Sequence, residues 1–207
     1  MYCVVVDYRK AFDSVRRVYL WQKLLKCTID GKMFKIIKSM YNNAKSCVRQ
    51  GNSCSNFFQS NVGVPQRENL YPVLFAIFLN DLVEFMSHAY NGLVDMSTAA
   101  RLLDTDEVAV YFRLYLLLYA DDTVILAESA AELQASLNAM YLYCQTWKLQ
   151  VNISKTKVVI FSRSKLNRND MNFKYNGESL NIVTNFQYLG IIFSCKGSFN
   201  DANAHLV

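Results

Sequence analysis

Histidine, proline and glycine are scarce in this sequence, with 2, 2 and 7 among 207 residues, and long apolar runs are missing. Only His88 and His205 could join the cysteines at positions 3, 27, 47, 54, 144 and 195, and no two of these stand at a short pair spacing. That speaks against a zinc site and against a disulfide framework, and leaves the cysteines as reduced thiols of the core. No stretch reaches the roughly 18 apolar residues of a membrane span. The longest, Val108 to Ala120, is interrupted by Arg113 and runs into two aspartates. The opening Met1-Tyr2-Cys3-Val4-Val5-Val6-Asp7 is too short and uncharged for a signal peptide. No membrane association is expected, and an intracellular location, nuclear or cytoplasmic, follows as the default. Internal repeats and low-complexity tracts are missing too; 163–172 is the one linker-like stretch.

What is present is apolar bulk. Hydrophobic residues make up 52% and charged residues 19%, which suits a packed core in one domain spanning 1–207 and excludes wholesale disorder. The net charge is +5, with the basic residues concentrated at 9–49 and 148–174. A polyanionic partner fits that balance without being required by it.

The periodicities alternate between strand and helix. Cys3 to Val6 reads as a strand ending on Asp7. A helix from Asp13 is predicted to bury Val18, Trp21 and Leu25, and another from Asp30 to bury Met33, Ile36, Ile37, Met40 and Tyr41. Ser46 to Val62, with Gly51 near its middle, predicts a β-hairpin. Pro72 is placed to start a helix burying Phe75, Phe78, Leu79 and Leu82. Residues 88–107 lack periodicity and read as a loop insertion. Leu114 to Tyr119 and Thr123 to Ala127 are apolar strands around a tight turn. Ser129 with Glu132 forms a capping box opening a helix that buries Leu133, Leu137, Met140 and Cys144. Lys157 to Ser162 returns to strand, Asn176-Gly177 marks a hairpin, and Phe186 to Phe193 reads as a final strand. The mixture predicts an α+β fold, a small antiparallel sheet with helices on one face.

The turn between the two apolar strands carries the chemistry. Aspartate occurs 11 times, so an adjacent pair arises by chance about 0.6 times in such a chain, but Tyr119-Ala120-Asp121-Asp122 only about 0.003 times. Two carboxylates on a hairpin tip repel each other unless a cation lies between them. Paired divalent ions held by carboxylates serve phosphoryl transfer, and magnesium leaves coordination positions for phosphate oxygens and water. Asp7, ending its own strand, can supply a third carboxylate.

Five blocks in order now bring a family into view. Val5-Val6-Asp7-Tyr8-Arg9-Lys10-Ala11-Phe12-Asp13-Ser14-Val15 is the first. Gly63-Val64-Pro65-Gln66 with Asn69-Leu70 and Pro72-Val73-Leu74-Phe75 is the second, and Tyr119-Ala120-Asp121-Asp122 the third. Trp147-Lys148-Leu149-Gln150-Val151-Asn152 with Lys155-Thr156-Lys157 is the fourth, and Tyr188-Leu189-Gly190 the fifth. Over about residues 3 to 200 the chain resembles the reverse transcriptases of non-long-terminal-repeat (LINE-like) retrotransposons. The resemblance implies a polymerase palm with partial fingers and without a complete thumb. It implies RNA-templated DNA synthesis with Mg2+ (or Mn2+), an RNA template, a DNA primer and deoxynucleoside triphosphates. Asp7, Asp121 and Asp122 would be the catalytic, metal-binding carboxylates, and Lys155 the general acid for pyrophosphate. Phe12 would exclude a 2′-hydroxyl, with Lys10 and Ala11 near the triphosphate. Gln66 would touch the nucleotide sugar or the template, and Tyr119 would pack near the primer terminus. Tyr188, Leu189 and Gly190 would form a primer grip.

The sequence departs from the family pattern at Arg67, where glycine is expected, and at Tyr71, where a small serine is expected. Its first motif begins within a few residues of Met1 and its last lies close to Val207. The expectation is therefore a partial or decayed copy. The competing reading is a palm-derived module, catalytically inactive, that binds nucleic acid or a partner.

Overall fold

The computed structural model describes residues 1–42, 44–64, 70–89, 116–119, 122–162, 171–188 and 191–196, with the backbone alone at 87–89 and 116–119. The chain divides into two compact units.

The first unit comprises residues 1–9, 81–146 and 150–207. Its centre is a five-stranded sheet in the order β11-β8-β1-β7-β6, formed by β1 (Tyr2–Val6), β6 (Leu116–Tyr119), β7 (Asp122–Ala127), β8 (Lys157–Ile160) and β11 (Asn181–Val183). Four strands run antiparallel, and β11 joins the edge parallel to β8. β1 lies in the interior, paired on both sides, and its β-branched residues suit that place. Alternation divides its side chains between two faces. One face carries Cys3 and Val5 with Val124, Leu126 and Val159, and is covered by Phe161, Val183, Phe186, Tyr188 and Cys195. The other carries Val4, Val6, Ile125, Val158 and Ile160.

The helix predicted from Pro72 through Leu82 is interrupted at Asn80-Asp81, so Leu82 opens a separate helix, α5 (Leu82–Ala89), whereas the main helix α6 (Ala130–Trp147) starts where its capping box puts it. At the head of α6 the capping box is made in full. Glu132 N–H donates to Ser129 Oγ at 3.2 Å, while the N–H groups of Glu128 and Ser129 donate to Glu132 Oε2 at 2.9 and 3.4 Å. Its predicted stripe Leu133, Leu137, Met140 and Cys144 is buried, together with Tyr143. Tyr8, one step beyond Val6 on the second sheet face, is buried within electrostatic reach of Tyr143 on α6 and of Tyr175.

Two hairpins complete this unit. β9 (Lys174–Tyr175) and β10 (Glu178–Ser179) flank Asn176 and Gly177, whose φ values of 52° and 81° are those a type I′ turn requires. The predicted single strand 186–193 is instead a second hairpin, β12 (Asn185–Tyr188) with β13 (Ile191–Ser194). Only Leu189 and Gly190 separate the two strands in sequence, so the alternating pattern reads on across them. Residues 163–170 and 90–107 lie outside the described residues; His88 and Ala89, assigned to the loop insertion, close α5.

The second unit comprises residues 10–80 and 147–149. It contains α1 (Ala11–Ser14), α2 (Arg17–Lys26), α3 (Gly31–Asn42) and α4 (Tyr71–Leu79), with a β-ribbon between α3 and α4. The ribbon is β2 (Lys45–Ser46) with β5 (Phe58–Gln59) and β3 (Arg49–Gln50) with β4 (Ser53–Cys54), turning at Gly51 as expected. α4 buries Leu74, Phe75, Phe78 and Leu79.

The helix stripes differ from expectation. In α2 Val18 and Leu25 are exposed, at 58% and 49%, and Leu20 and Leu24 are buried. Both stripes are apolar, and what selects between them is Arg17, whose guanidinium lies on the buried side. Its Nε donates to Gly63 O at 2.9 Å and its Nη1 to Tyr41 O at 2.7 Å and Ser60 O at 2.6 Å, with the cation over the Tyr41 ring. Lys23 is buried as well, its Nζ 3.6 Å from the centre of the Trp147 ring. In α3 only Ile37 and Tyr41 are buried; Met33, Ile36 and Met40 face solvent.

Candidate active site

In the first unit Asp7 follows the last paired residue of β1, and Asp122 opens β7. β1 pairs with β7 from Tyr2↔Ala127 to Val6↔Thr123, and one further step of that register sets Asp7 level with Asp122. Residues directly opposite in an antiparallel pair share a face, with Cα atoms about 4.5–5.5 Å apart. The face is that of Cys3, Val5 and Val124. β6 and β7 pair up to Tyr119↔Asp122, with Ala120 and Asp121 between them in sequence. Asp121 lies outside the described residues, and of Tyr119 only the backbone is described. Among the described residues no group of three His, Cys, Asp or Glu is assembled for a metal ion; the described part of the acid cluster is the Asp7–Asp122 pair.

Asp7 is held through its peptide by the loop of the fourth sequence block. Its N–H donates to Thr156 Oγ1 at 3.2 Å, and its carbonyl accepts the N–H of Asn152 at 2.7 Å. Tyr8 bridges to Val151, and Arg9 N–H donates to Gln150 O at 2.7 Å. Lys155 is exposed in the turn between Asn152 and Thr156, with its own N–H donating to Asn152 O. The block thus works locally as a brace that fixes where the strand delivers Asp7. Thr156 is fully buried; sequence reasoning passed over it, although it stands inside a quoted block and an unexplained threonine between two lysines was the available signal.

Beneath the acids, Thr123 Oγ1 donates to Tyr8 Oη at 3.3 Å in the interior. Tyr143 Oη donates to Asp81 Oδ1 at 2.9 Å, and burial together with that carboxylate pushes the phenol well above its ordinary range. Burial also raises the Cys3 thiol to about 12 and Cys144 to about 11, the latter moderated by Tyr175. Such thiols stay protonated and unreactive at neutral pH. Tyr188 is the covering residue that senses the acids: burial first, then the charge of Asp122, raises its phenol. Leu189 and Gly190 lie outside the described residues.

The second unit carries Lys10, Ala11 and Phe12. Lys10 is exposed, with φ 51° and ψ 50°, a left-handed residue that ends the extended chain and starts the single turn α1. Ala11 is buried. The Phe12 ring lies between two others, edge-on to Tyr71 at 5.0 Å and tilted against Phe75 at 4.8 Å. Tyr71, where a serine was expected, is therefore a direct neighbour of Phe12. Main-chain bonds tie this segment to the second sequence block, Gly63 N–H to Val15 O and Val64 N–H to Phe12 O, both 2.9 Å. Gly63 has φ +85°, and a Cβ there would stand 2.9 Å from the Asp13 carbonyl oxygen, so only glycine fits. Gln66 and Arg67 lie outside the described residues.

The chain is similar to the Pol polyprotein of the type-1 retrotransposable element R2 from Popillia japonica, 27% identical over 94% of this chain and 31% of that protein. It is also similar to the probable RNA-directed DNA polymerase of transposon BS from Drosophila melanogaster, 29% identical over 96% of this chain and 21% of the relative. The chain thus spans less than a third of the length of these relatives. In fold it resembles apo telomerase from Candida tropicalis, with a TM-score of 0.63 at 13% identity over 94% of this chain and 34% of that one. The family model for reverse transcriptase (RNA-dependent DNA polymerase) matches residues 1–193, and the chain belongs to that family.

Proposed function

We propose that this chain is the catalytic palm of a retrotransposon RNA-directed DNA polymerase, extending a DNA primer on an RNA template by two-metal nucleotidyl transfer. The observation that carries the proposal is the register of β1 against β7, which levels Asp7 with Asp122 on one face. Hard carboxylate oxygens projecting side by side suit Mg2+ or Mn2+, with Asp121 as the third donor from the hairpin tip. Such ions would lower the cost of deprotonating the primer hydroxyl and of releasing pyrophosphate.

The protein's own groups do the rest. Thr156 and Asn152 fix the peptide of Asp7, so the carboxylate needs little reorganisation. Lys155, exposed in the same turn, is the proton donor to the leaving pyrophosphate. Tyr188 stands at the acid end of the cover and, with Leu189 and Gly190, holds the primer. In the second unit Lys10 and Ala11 flank the triphosphate and Phe12 rejects a 2′-hydroxyl by bulk. Gln66 contacts the sugar or the template, and Tyr119 the primer end. That the relatives bear the names of RNA-directed DNA polymerases supports the template and product classes.

A second reading, a palm that binds nucleic acid without turnover, is favoured by Tyr71, whose ring occupies the flank of Phe12. One experiment separates the two. A primed RNA template, deoxynucleotides and Mg2+ are given to the wild type, Asp122→Asn, Arg67→Gly and Tyr71→Ser. Extension by the wild type that Asp122→Asn abolishes supports the polymerase. Extension only in the glycine or serine variant supports the inactive module and names its lesion. Folded protein with no extension in any version sinks the polymerase reading.

A further inference from the structure

The sheet face opposite the acids is lined by Val4, Val6, Ile125, Val158 and Ile160, and yet two hydroxyls are buried at its end. Tyr8 follows Asp7 in the chain and Thr123 follows Asp122, and both side chains are buried, with Thr123 Oγ1 donating to Tyr8 Oη at 3.3 Å. Each member of the pair is thus the immediate neighbour of a proposed metal ligand. Packing does not explain the choice, because phenylalanine and valine would fill the same volume. Buried hydroxyls gain little net stability over apolar groups of their own shape. What a hydrogen bond adds is a preferred length and direction, where apolar contact tolerates sliding.

Sliding matters here because the main-chain ladder between the two acid-bearing strands ends at Val6↔Thr123. At Asp7 the peptide turns its bonds to Thr156 and Asn152, while Asp122 pairs with Tyr119 on the other edge of β7. The bond between Tyr8 and Thr123 carries the connection of β1 to β7 one step past the ladder, level with the carboxylates but from the opposite face. We propose that these two hydroxyls are positioning residues, which fix the offset of Asp7 against Asp122 and so make the site favour Mg2+ over Ca2+. The proposal rests on the reading of the acids as metal ligands, and adds to it what sets their choice of ion. Mg2+ demands near-ideal octahedral geometry at about 2.0–2.1 Å, so a loosened carboxylate pair penalises it. Ca2+ accepts about six to eight oxygens in flexible arrangements and tolerates the change.

The test uses the full chain without primer or nucleotide. Bound Mn2+ that Asp122→Asn releases is read by electron paramagnetic resonance, and Mg2+ or Ca2+ is titrated in to displace it. The double variant Tyr8→Phe, Thr123→Val keeps the packed volume, so its melting should stay near the wild-type temperature. Its Mg2+ affinity should fall about tenfold, the usual effect of losing a group that orients a ligand. Its Ca2+ affinity should change less than about twofold. Each single variant should show the same Mg2+ loss as the double, because two hydroxyls that act through one bond are not additive. Thr123→Ser keeps the hydroxyl and should retain the wild-type ratio of the two ions.

Unchanged Mg2+ affinity in the double variant overturns the proposal. So does an equal loss of both ions, which would make the pair a merely structural tie, and so do losses that multiply between the single variants. If the wild type holds no Mn2+ beyond what Asp122→Asn holds, the acids are not metal ligands and the proposal falls with that reading. Mn2+ binding that depends on Asp122, with a Mg2+ preference indifferent to the hydroxyls, sinks this proposal alone.

Discussion

The two units differ in charge and in finish. Residues 10–80 and 147–149 hold twelve Lys or Arg against three Asp or Glu, whereas the rest of the chain holds ten against fourteen. Among the described residues, eleven of the fifteen exposed large hydrophobics belong to the basic unit. The sheet unit covers both faces of its central strands and carries Asp7 and Asp122 at adjacent strand ends. The basic unit leaves whole stripes of α2, α3 and the ribbon uncovered. A sealed unit reads as a self-sufficient scaffold for a site, while an unsealed basic one reads as a surface completed by what it binds.

Perturbations can set the units against each other, and the chain supplies its own probe. Both tryptophans, Trp21 and Trp147, lie in the basic unit, so their fluorescence follows that unit alone. The largest effect is expected at the acids. Asp122→Asn should reduce primer extension by about a thousandfold, without moving the tryptophan transition; a reduction under tenfold would detach the chemistry from the sheet unit.

Alkaline pH should strike the sheet unit first. The Cys3 thiol is raised from 9.0 to about 12, and Tyr143 and Tyr175 are raised as well. For a raised group the stability present below the unfolded value drains away as pH climbs toward the folded one. The loss should therefore run between about 9 and 12, at on the order of 1 kcal/mol per pH unit. Circular dichroism of the sheet should then fail before tryptophan emission shifts, and simultaneous failure would contradict the division.

Gly63→Ala should cost the basic unit about 2 kcal/mol or more, through a left-handed φ and a clash with the Asp13 carbonyl. Chemical denaturation followed by tryptophan emission would read it. Smallest is Thr156→Val, which keeps shape and deletes one hydrogen bond to the Asp7 peptide, for about 1 kcal/mol. Its signature is a fall in extension rate greater than its fall in stability, which a purely structural threonine would not give.

The same contrast governs what the sequence disclosed. In the sheet unit, local chemistry and tertiary structure agree: Ser129 and Glu132 cap α6, Asn176-Gly177 turns a hairpin, and the apolar strands bracket the acid tip where the pattern put them. Asp7 and Asp122 were legible because a strand end and a hairpin tip are positional facts that survive folding. In the basic unit, α2 and α3 each offer two apolar stripes, and local periodicity cannot rank them. The choice rests on Arg17 reaching three carbonyls from distant segments and on Lys23 over Trp147, long-range polar contacts with no local signature. The brace on Asp7 was hidden for the same reason, since Thr156 acts 149 residues away through a single hydroxyl.

The pairing of β1 on both edges has a consequence for how such a chain can diverge. Whether Asp7 meets Asp122 depends on parity along β1, whose odd residues face one side of the sheet and whose even residues face the other. Exchanging valine for isoleucine or cysteine along β1 leaves parity untouched, so the strand can drift in composition far from its relatives. One inserted or deleted residue between Tyr2 and Asp7 would send the carboxylate to the opposite side, into the helix-packed interior, and two flanking strands would hold it there. Descent from a polymerase can thus be recorded in spacing long after it has faded from identity.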